Sequence, residues 1–234
     1  VEFFANRKTT RVASAYYGNY HLLAIGSILN RATKYSIVWG AGFIEENSNV
    51  IDPPHKILAV RGPKTRQRLL ELNIDCPNVY GDPALLMPLI HNPKIRKKYK
   101  LGIIPHYVDF NDESLKHVND DSVKIIDICN PNPLKVIDQL LECECVASSS
   151  LHGLIISDAY KIPNIWIKFS DNVIGGNFKF EDYFESISRE SKGPHLVENK
   201  IDISYLISNS KSFPVQLNLN LLIEQIKSEI FNKL

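Results

Sequence analysis

The sequence predicts an α/β fold in which parallel sheets are covered by helices on both faces. Three features point to it. Segments such as residues 56–60 (KILAV), 101–104 (LGII) and 164–169 (NIWIKF) are short and almost wholly apolar, as strands buried on both sides are. Stretches with a helical spacing of apolar residues alternate with them, and the junctions carry Gly, Pro, Ser or Arg. A polar, basic run at residues 92–100 (NPKIRKKYK) then breaks the pattern and divides the chain into an N-terminal lobe over 1–95 and a C-terminal lobe over 96–234. Both lobes are expected to be Rossmann-like, with the C-terminal helix packing back on the first.

Residues 1–19 have no clear period. Strands are expected at 21–27 (HLLAIGS), at 35–39 (YSIVW), ending in Gly40-Ala41-Gly42, and at 56–60. Pro63 then opens a helix, KTRQRLLELN, at a position where its missing N–H costs nothing. A short strand at 78–80 leads through Gly81-Asp82 to a second helix opened by Pro83, ALLMPLI. In the second lobe, strands are expected at 101–104 and 123–128 and a helix at 133–142. Cys145, Val146 and Ala147 close a further strand, and from Leu151 the apolar residues Leu154, Ile155 and Ala159 recur at helical spacing. A strand at 164–169, a Gly-containing loop at 171–177 and a helix at 178–187 follow; Phe178, Phe180, Tyr183 and Phe184 on that helix read as core packing rather than a stacking platform. Two helices, near 203–207 and over 216–234, complete the pattern.

Composition excludes several classes. Of 234 residues, 44% are hydrophobic and 23% charged, ordinary globular usage, and a net charge of +1 provides no basic field for nucleic acid. Cys76, Cys129, Cys143 and Cys145 have neither a paired framework nor a CxxC zinc spacing, which suggests reduced thiols in a cytosolic protein. No apolar run approaches the ~20 residues of a membrane span, and no signal peptide is expected at Val1.

In sheets of this class ligands bind at the carboxyl ends of the strands. The residues there include Gly26-Ser27, Gly40 and Gly42, Arg61-Gly62, Gly81-Asp82, Pro105-His106, Asn130 and Ser148 through His152. The last group is the focus of the chain. A strand that feeds a helix through Ser148, Ser149 and Ser150 presents backbone N–H groups and hydroxyls to an anion, with His152 in the first helical turn; alternatively, the serines serve only as caps. Arg61 is a fork-shaped donor for carboxylate or phosphate, and Gly40 and Gly42 admit close backbone approach. The expected ligand is a small anion. Gly40-x-Gly42 lacks the third glycine of a dinucleotide fingerprint, and neither a P-loop nor a G-x-S-x-G elbow is found. His21, His55, His91, His117 and His195 lack a second ligand at metal spacing, so no metal is expected.

Six segments in order, VWGAGFI (38–44), VRGPKT (60–65), VYGDPALLMP (79–88), LGIIPHYVD (101–109), VASSSLHGLIISDAYKIP (146–163) and FKFEDYFESI (178–187), resemble the polysaccharide pyruvyl transferase family, especially its exopolysaccharide ketal-pyruvate branch. The resemblance implies a fold like the two-lobed GT-B glycosyltransferases, phosphoenolpyruvate as donor and no cofactor. It also implies a sugar on a lipid-linked bacterial glycan precursor as acceptor, and a cytoplasmic location at the inner face of the membrane. His152 matches the family's Leu-His pair, whose histidine belongs to the donor site, and Arg61 matches a basic position near it. Many members carry an Arg where Ser150 stands. The family's N-terminal N-x-G-D turn has no counterpart, so the chain is expected to be a trimmed or incompletely ordered version of a longer protein.

Making a pyruvate ketal requires protonation of the enol methylene, addition of a sugar hydroxyl to the resulting cationic carbon, and expulsion of phosphate as a second hydroxyl closes the ring. An acid, a base and an anion clamp are needed. Arg61 and the turn Ser148, Ser149, Ser150 are the expected clamp, His152 the group that holds phosphate or donates the proton, and His106 or Asp82 the base. Two other classes stay open. A nucleotide-sugar-dependent GT-B glycosyltransferase would need a ribose-binding Glu and a base-stacking site, which are not found; a non-catalytic glycan-binding relative would need no turnover at all.

Overall fold

The computed structural model describes residues 18–233. The fold is α/β. In chain order its elements are β1 (His21–Leu23), β2 (Ser36–Trp39), β3 (Lys56–Ala59), α1 (Pro63–Glu71), α2 (Met87–Ile90), β4 (Tyr99–Ile104), α3 (Glu113–Lys116), β5 (Val123–Ile125) and α4 (Pro133–Leu141). There follow β6 (Cys143–Ser148), α5 (Leu151–Ala159), β7 (Asn164–Lys168), α6 (Phe178–Ser186), β8 (His195–Leu196), α7 (Ile203–Asn209) and α8 (Leu219–Lys233). The chain forms two compact units. The first takes the chain up to Pro83 with Gly175–Glu190 and the segment from Gln216 onward; the second is Ala84–Ile174 with Ser191–Val215.

The first unit holds a parallel sheet in the order β1-β2-β3, to which Tyr80 adds a parallel bridge at Val60. Leu23, Val38, Phe43, Val60 and Leu69 form its core. The C-terminal helix α8 packs on β3, and Trp39 Nε1 donates to the Leu222 carbonyl at 2.8 Å. On α6, Phe180, Tyr183 and Phe184 are buried as core.

The second unit holds five parallel strands in the order β5-β4-β6-β7-β8. Counted along the chain this is 2-1-3-4-5, a doubly wound order whose direction reverses between β4 and β6. Both faces are covered, which is why the strands read as near-continuous apolar runs. Leu101, Ile103, Cys145 and Ala147 pack with Leu206 of α7 on one face, whereas Ile104 and Val146 pack with Val136 and Leu140 of α4 on the other.

Local departures from the expected elements have physical causes. Pro88 cannot donate to the Ala84 carbonyl, so the expected helix at 83–90 is a 3-10 turn (Pro83–Leu86) followed by the single turn of α2. The basic run enters the sheet directly: Tyr99 pairs with Cys143, and the N–H groups of Lys98 and Tyr99 both donate to the Glu142 carbonyl. Strand β5 stops at Ile125 because Asp127 turns the chain by accepting from the Cys129 N–H at 2.8 Å. Strand β8 and helix α3 span two and four residues, too few to display a period. The expectation about the opening of the chain lies outside the described residues. Among the described residues no helix is long and apolar enough to cross a membrane. Cys76, Cys143 and Cys145 are buried and Cys129 is exposed; burial pushes the Cys76 and Cys143 thiols up to about 12.

Candidate functional site

The reversal point between β4 and β6 is where a doubly wound sheet opens a crevice at its carboxyl edge. Two loops meet there. Strand β6 ends in Ser148, whose fully buried Oγ accepts from the Ser150 N–H at 3.0 Å and lies within donor reach of the Ser150 and Ile104 carbonyls at 2.8 and 3.1 Å. The Ser149 N–H donates to the Ile104 carbonyl at 3.1 Å, and Ser149 Oγ accepts from the His106 N–H at 2.8 Å. The serines thereby lace the ends of the two strands together. Ser150 has the extended backbone of an N-cap residue, but among the described residues its side chain makes no capping bond to α5. The first turn of that helix is therefore not closed by a Ser150 side-chain cap.

His152 is half-buried in this first turn, and the glycine after it is dictated by packing. A Cβ on Gly153 would stand 2.3 Å from Ser148 Oγ and 3.0 Å from Ser148 Cβ, so the Leu-His-Gly sequence lets α5 sit directly on the serine turn. After β4, half-buried His106 caps a short turn (Tyr107–Asp109), and its ring lies 4.4 Å from that of Tyr107. His106, Ser148, Ser149, Ser150 and His152 thus share one edge of one sheet.

The remaining nominated residues lie in the first unit. Arg61 is fully buried: Nε donates to Asp182 Oδ2 at 2.9 Å, Nη1 to Ser27 Oγ at 2.7 Å and Nη2 to the Phe43 carbonyl at 2.6 Å. Any donor anion it clamped would share it with Asp182. Gly42 is a glycine because a Cβ there would come within 2.5 Å of the Arg61 guanidinium carbon. Gly40, at φ +90°, lies so close to the turn Gly81-Asp82-Pro83 that a Cβ would meet Pro83 Cδ at 2.3 Å. Asp82 is fully buried on that turn. Both glycines are accounted for by the chain's own packing. Sequence reasoning missed Asp182 and Asp109, both buried. Each sits inside a segment that carries the family resemblance, FKFEDYFESI and LGIIPHYVD; Asp109 is a lone carboxylate in its apolar segment, whereas Asp182 stands between Glu181 and Glu185 and nothing local sets it apart.

Lys179 lies beside this network at 6% exposure, and its ammonium is pushed down to about 8, first by burial and then by the Arg61 charge. The sign follows from proton counting. Below pH 8 the folded chain carries the whole cost of a buried charge; between about 8 and 10.5 the folded form releases its proton before the unfolded one, and stability contributed at this site rises. Lys179→Met is therefore expected to stabilise the protein at pH 7 by roughly 1–3 kcal/mol, a gain that fades toward pH 10.5. Urea denaturation across that range checks it, and a gain independent of pH would rule this origin out.

The first unit also has an open groove of about 850 Å³ lined by five glutamates, among them Glu45, Glu71 and Glu181, against Lys64 and Arg68. Lys64 is already bonded to Glu181 at 2.6 Å, leaving a wall of negative charge unsuited to a dianionic donor. The nominated residues lie elsewhere.

The serine-lined start of α5 and two histidines thus stand at the reversal point of a doubly wound α/β sheet. The profile of one family, Polysaccharide pyruvyl transferase, matches residues 7–171, and the chain belongs to that family of transferases. An uncharacterized protein of Acanthamoeba polyphaga mimivirus is 29% identical over 224 residues, 92% of this chain and 77% of the viral one. Succinoglycan biosynthesis protein ExoV of Rhizobium meliloti (strain 1021) is 28% identical over 177 residues, 71% of this chain. The chain spans about half of that protein, 53% of its length. No solved structure matches the chain.

Proposed function

We propose that the protein transfers the enolpyruvyl group of phosphoenolpyruvate to a sugar of a cell-surface glycan or its lipid-linked precursor, forming a pyruvate ketal. The observation that carries this is the position of the serine turn and His152 at the β4/β6 reversal point, in a chain of the pyruvyl transferase family. Phosphoenolpyruvate is a small polyanion, which suits the first turn of α5 with Ser149 and Ser150 beside it. His152 holds the phosphate or delivers the proton that turns the enol methylene into a methyl group. His106, on the neighbouring loop and tied to the serine turn through Ser149, relays protons. Arg61, enclosed by Asp182, orders the R-G-P-x-T segment within the first unit. The chemistry calls for no metal or redox cofactor, because each step is a proton transfer, the addition of a hydroxyl to C2 or a displacement of phosphate. The sugar acceptor is intracellular and its carrier lipid lies in the membrane, so the protein works at the cytoplasmic face.

Phosphoenolpyruvate is expected to raise the melting temperature, by about 2.7 kcal/mol of linkage at a hundredfold excess over its Kd, while UDP and GDP sugars do not. Differential scanning fluorimetry decides it. Stabilisation by a nucleotide sugar alone would assign the chain to glycosyl transfer, and stabilisation by glycan alone to a non-catalytic binder.

A further inference from the structure

We propose that Asp109 is a catalytic base that takes the proton of the attacking hydroxyl on the sugar acceptor, a role that rests on the pyruvyl-transfer reading above. Asp109 closes the turn directly after β4, on the strand that borders the reversal point. It is only 4% exposed. Its Oδ1 accepts from Ser170 Oγ, just beyond β7, at 2.5 Å, and Ser170 Oγ in turn accepts from the Asn172 N–H at 3.1 Å. Its Oδ2 is enclosed and meets no hydrogen-bond donor among the described residues. A carboxylate anchored through one oxygen and left unsatisfied at the other is costly to keep buried, and a donor that arrives with a ligand accounts for it.

The chemistry of the two substrates decides which one supplies that donor. Phosphoenolpyruvate offers anionic oxygens, which a carboxylate repels; a sugar offers hydroxyls, which donate. Oδ2 therefore belongs to the acceptor. As the short turn opens to admit the sugar, its first hydroxyl bonds to Oδ2. The oxygen of that hydroxyl forms a bond to C2 of the enolpyruvyl group, its proton passes to Oδ2, and the methylene carbon takes a proton from the site's acid to become methyl. The second hydroxyl then attacks C2, the C2–O bond to phosphate breaks, and the second proton leaves with inorganic phosphate. Both hydroxyl protons are thereby placed, one on Oδ2, from which solvent returns a proton to the acid before the next turnover, and one on the leaving group. Ser170, fixed by Asn172, sets the direction in which the carboxylate points.

The test measures phosphate release from phosphoenolpyruvate with methyl β-galactopyranoside and methyl β-glucopyranoside as acceptor probes, alongside the melting shift given by phosphoenolpyruvate alone. Asp109→Asn keeps an oxygen for Ser170 but cannot take a proton. It is expected to retain the melting shift and to lose phosphate release by ~100-fold or more. Asp109→Ala is expected to recover part of its rate when formate is supplied, and it carries the test if the Asn variant does not fold. Asp109→Asn working at the wild-type rate, or Asp109→Ala binding phosphoenolpyruvate without any response to formate, would overturn the assignment. Absence of both melting shift and turnover in the wild-type protein is distinguishable from these outcomes and takes down the pyruvyl-transfer reading itself.

Discussion

Asp182→Ala is expected to cost about 3–5 kcal/mol of stability, the range for breaking a buried ion pair by removing one partner. Asp182 and Arg61 are both fully buried, so the substitution leaves a guanidinium charge in the interior with its Nε unmet. The loss extends beyond the pair. Asp182 Oδ1 accepts from the Thr65 N–H at 2.8 Å and Oδ2 from Thr65 Oγ1 at 2.7 Å, which fixes the first turn of α1. Gly62 lies so close that a Cβ there would stand 1.9 Å from the Asp182 carbonyl oxygen. The R-G-P-x-T segment and the acidic helix α6 are thus one device, joined in the interior through the Asp182 carboxylate and nearer the surface by Lys64 with Glu181 and Glu185. By contrast Ser27→Ala, which removes one hydroxyl from Nη1, should cost about 1 kcal/mol. Urea denaturation measures both. A double variant, Arg61→Met with Asp182→Leu, should recover much of the loss, since apolar residues of similar volume leave no orphan charge. A loss below about 1 kcal/mol for Asp182→Ala would mean that water reaches Arg61 and that the pair is not the centre of this unit.

The sheets were legible because strands buried on both faces carry few polar residues. Ile103 and Ala147 against Ile104 and Val146 leave no solvent side to mark, so the runs stood out. The serine turn was legible for the same reason, since three hydroxyls after such a run need a purpose. Pairings between distant segments were not. Nothing local to VRGPKT announces that its Arg is enclosed by Asp182, a partner 121 residues on, and an Arg beside a Gly at a strand end reads equally as a ligand clamp. The glycines misled in the same way: a close approach of backbone to ligand and a close approach of Gly42 to Arg61 demand the same residue. Asp109 lay in a quoted segment and was passed over because its bond to Ser170 joins loops 61 residues apart. Apolar residues alone extend helix α2 back to Ala84, whereas Pro88 has no N–H for the Ala84 carbonyl and the helix is limited to a single turn.

His152→Asn is expected to leave the fold intact and to lower phosphoenolpyruvate-dependent turnover by ~10²–10⁴-fold, the usual contribution of a positioned proton-transfer group. Stability should hold because His152 is only half-buried in the first turn of α5, while the packing of that turn depends on Leu151, Gly153 and Leu154, which are buried. Asn fills much of the same space and still forms hydrogen bonds, but it cannot carry a proton across the pH range in which imidazole can. The two roles open to His152 separate kinetically. If it only binds phosphate, the variant should show a raised KM for phosphoenolpyruvate with kcat retained, since binding is lost equally from ground and transition states. If it donates the proton to the methylene, kcat should fall while the melting shift given by phosphoenolpyruvate persists. Steady-state phosphate release and calorimetric titration on the same preparation distinguish them. Wild-type values for both would remove His152 from the chemistry and leave His106, tied to the same serine turn through Ser149, as the histidine to test next.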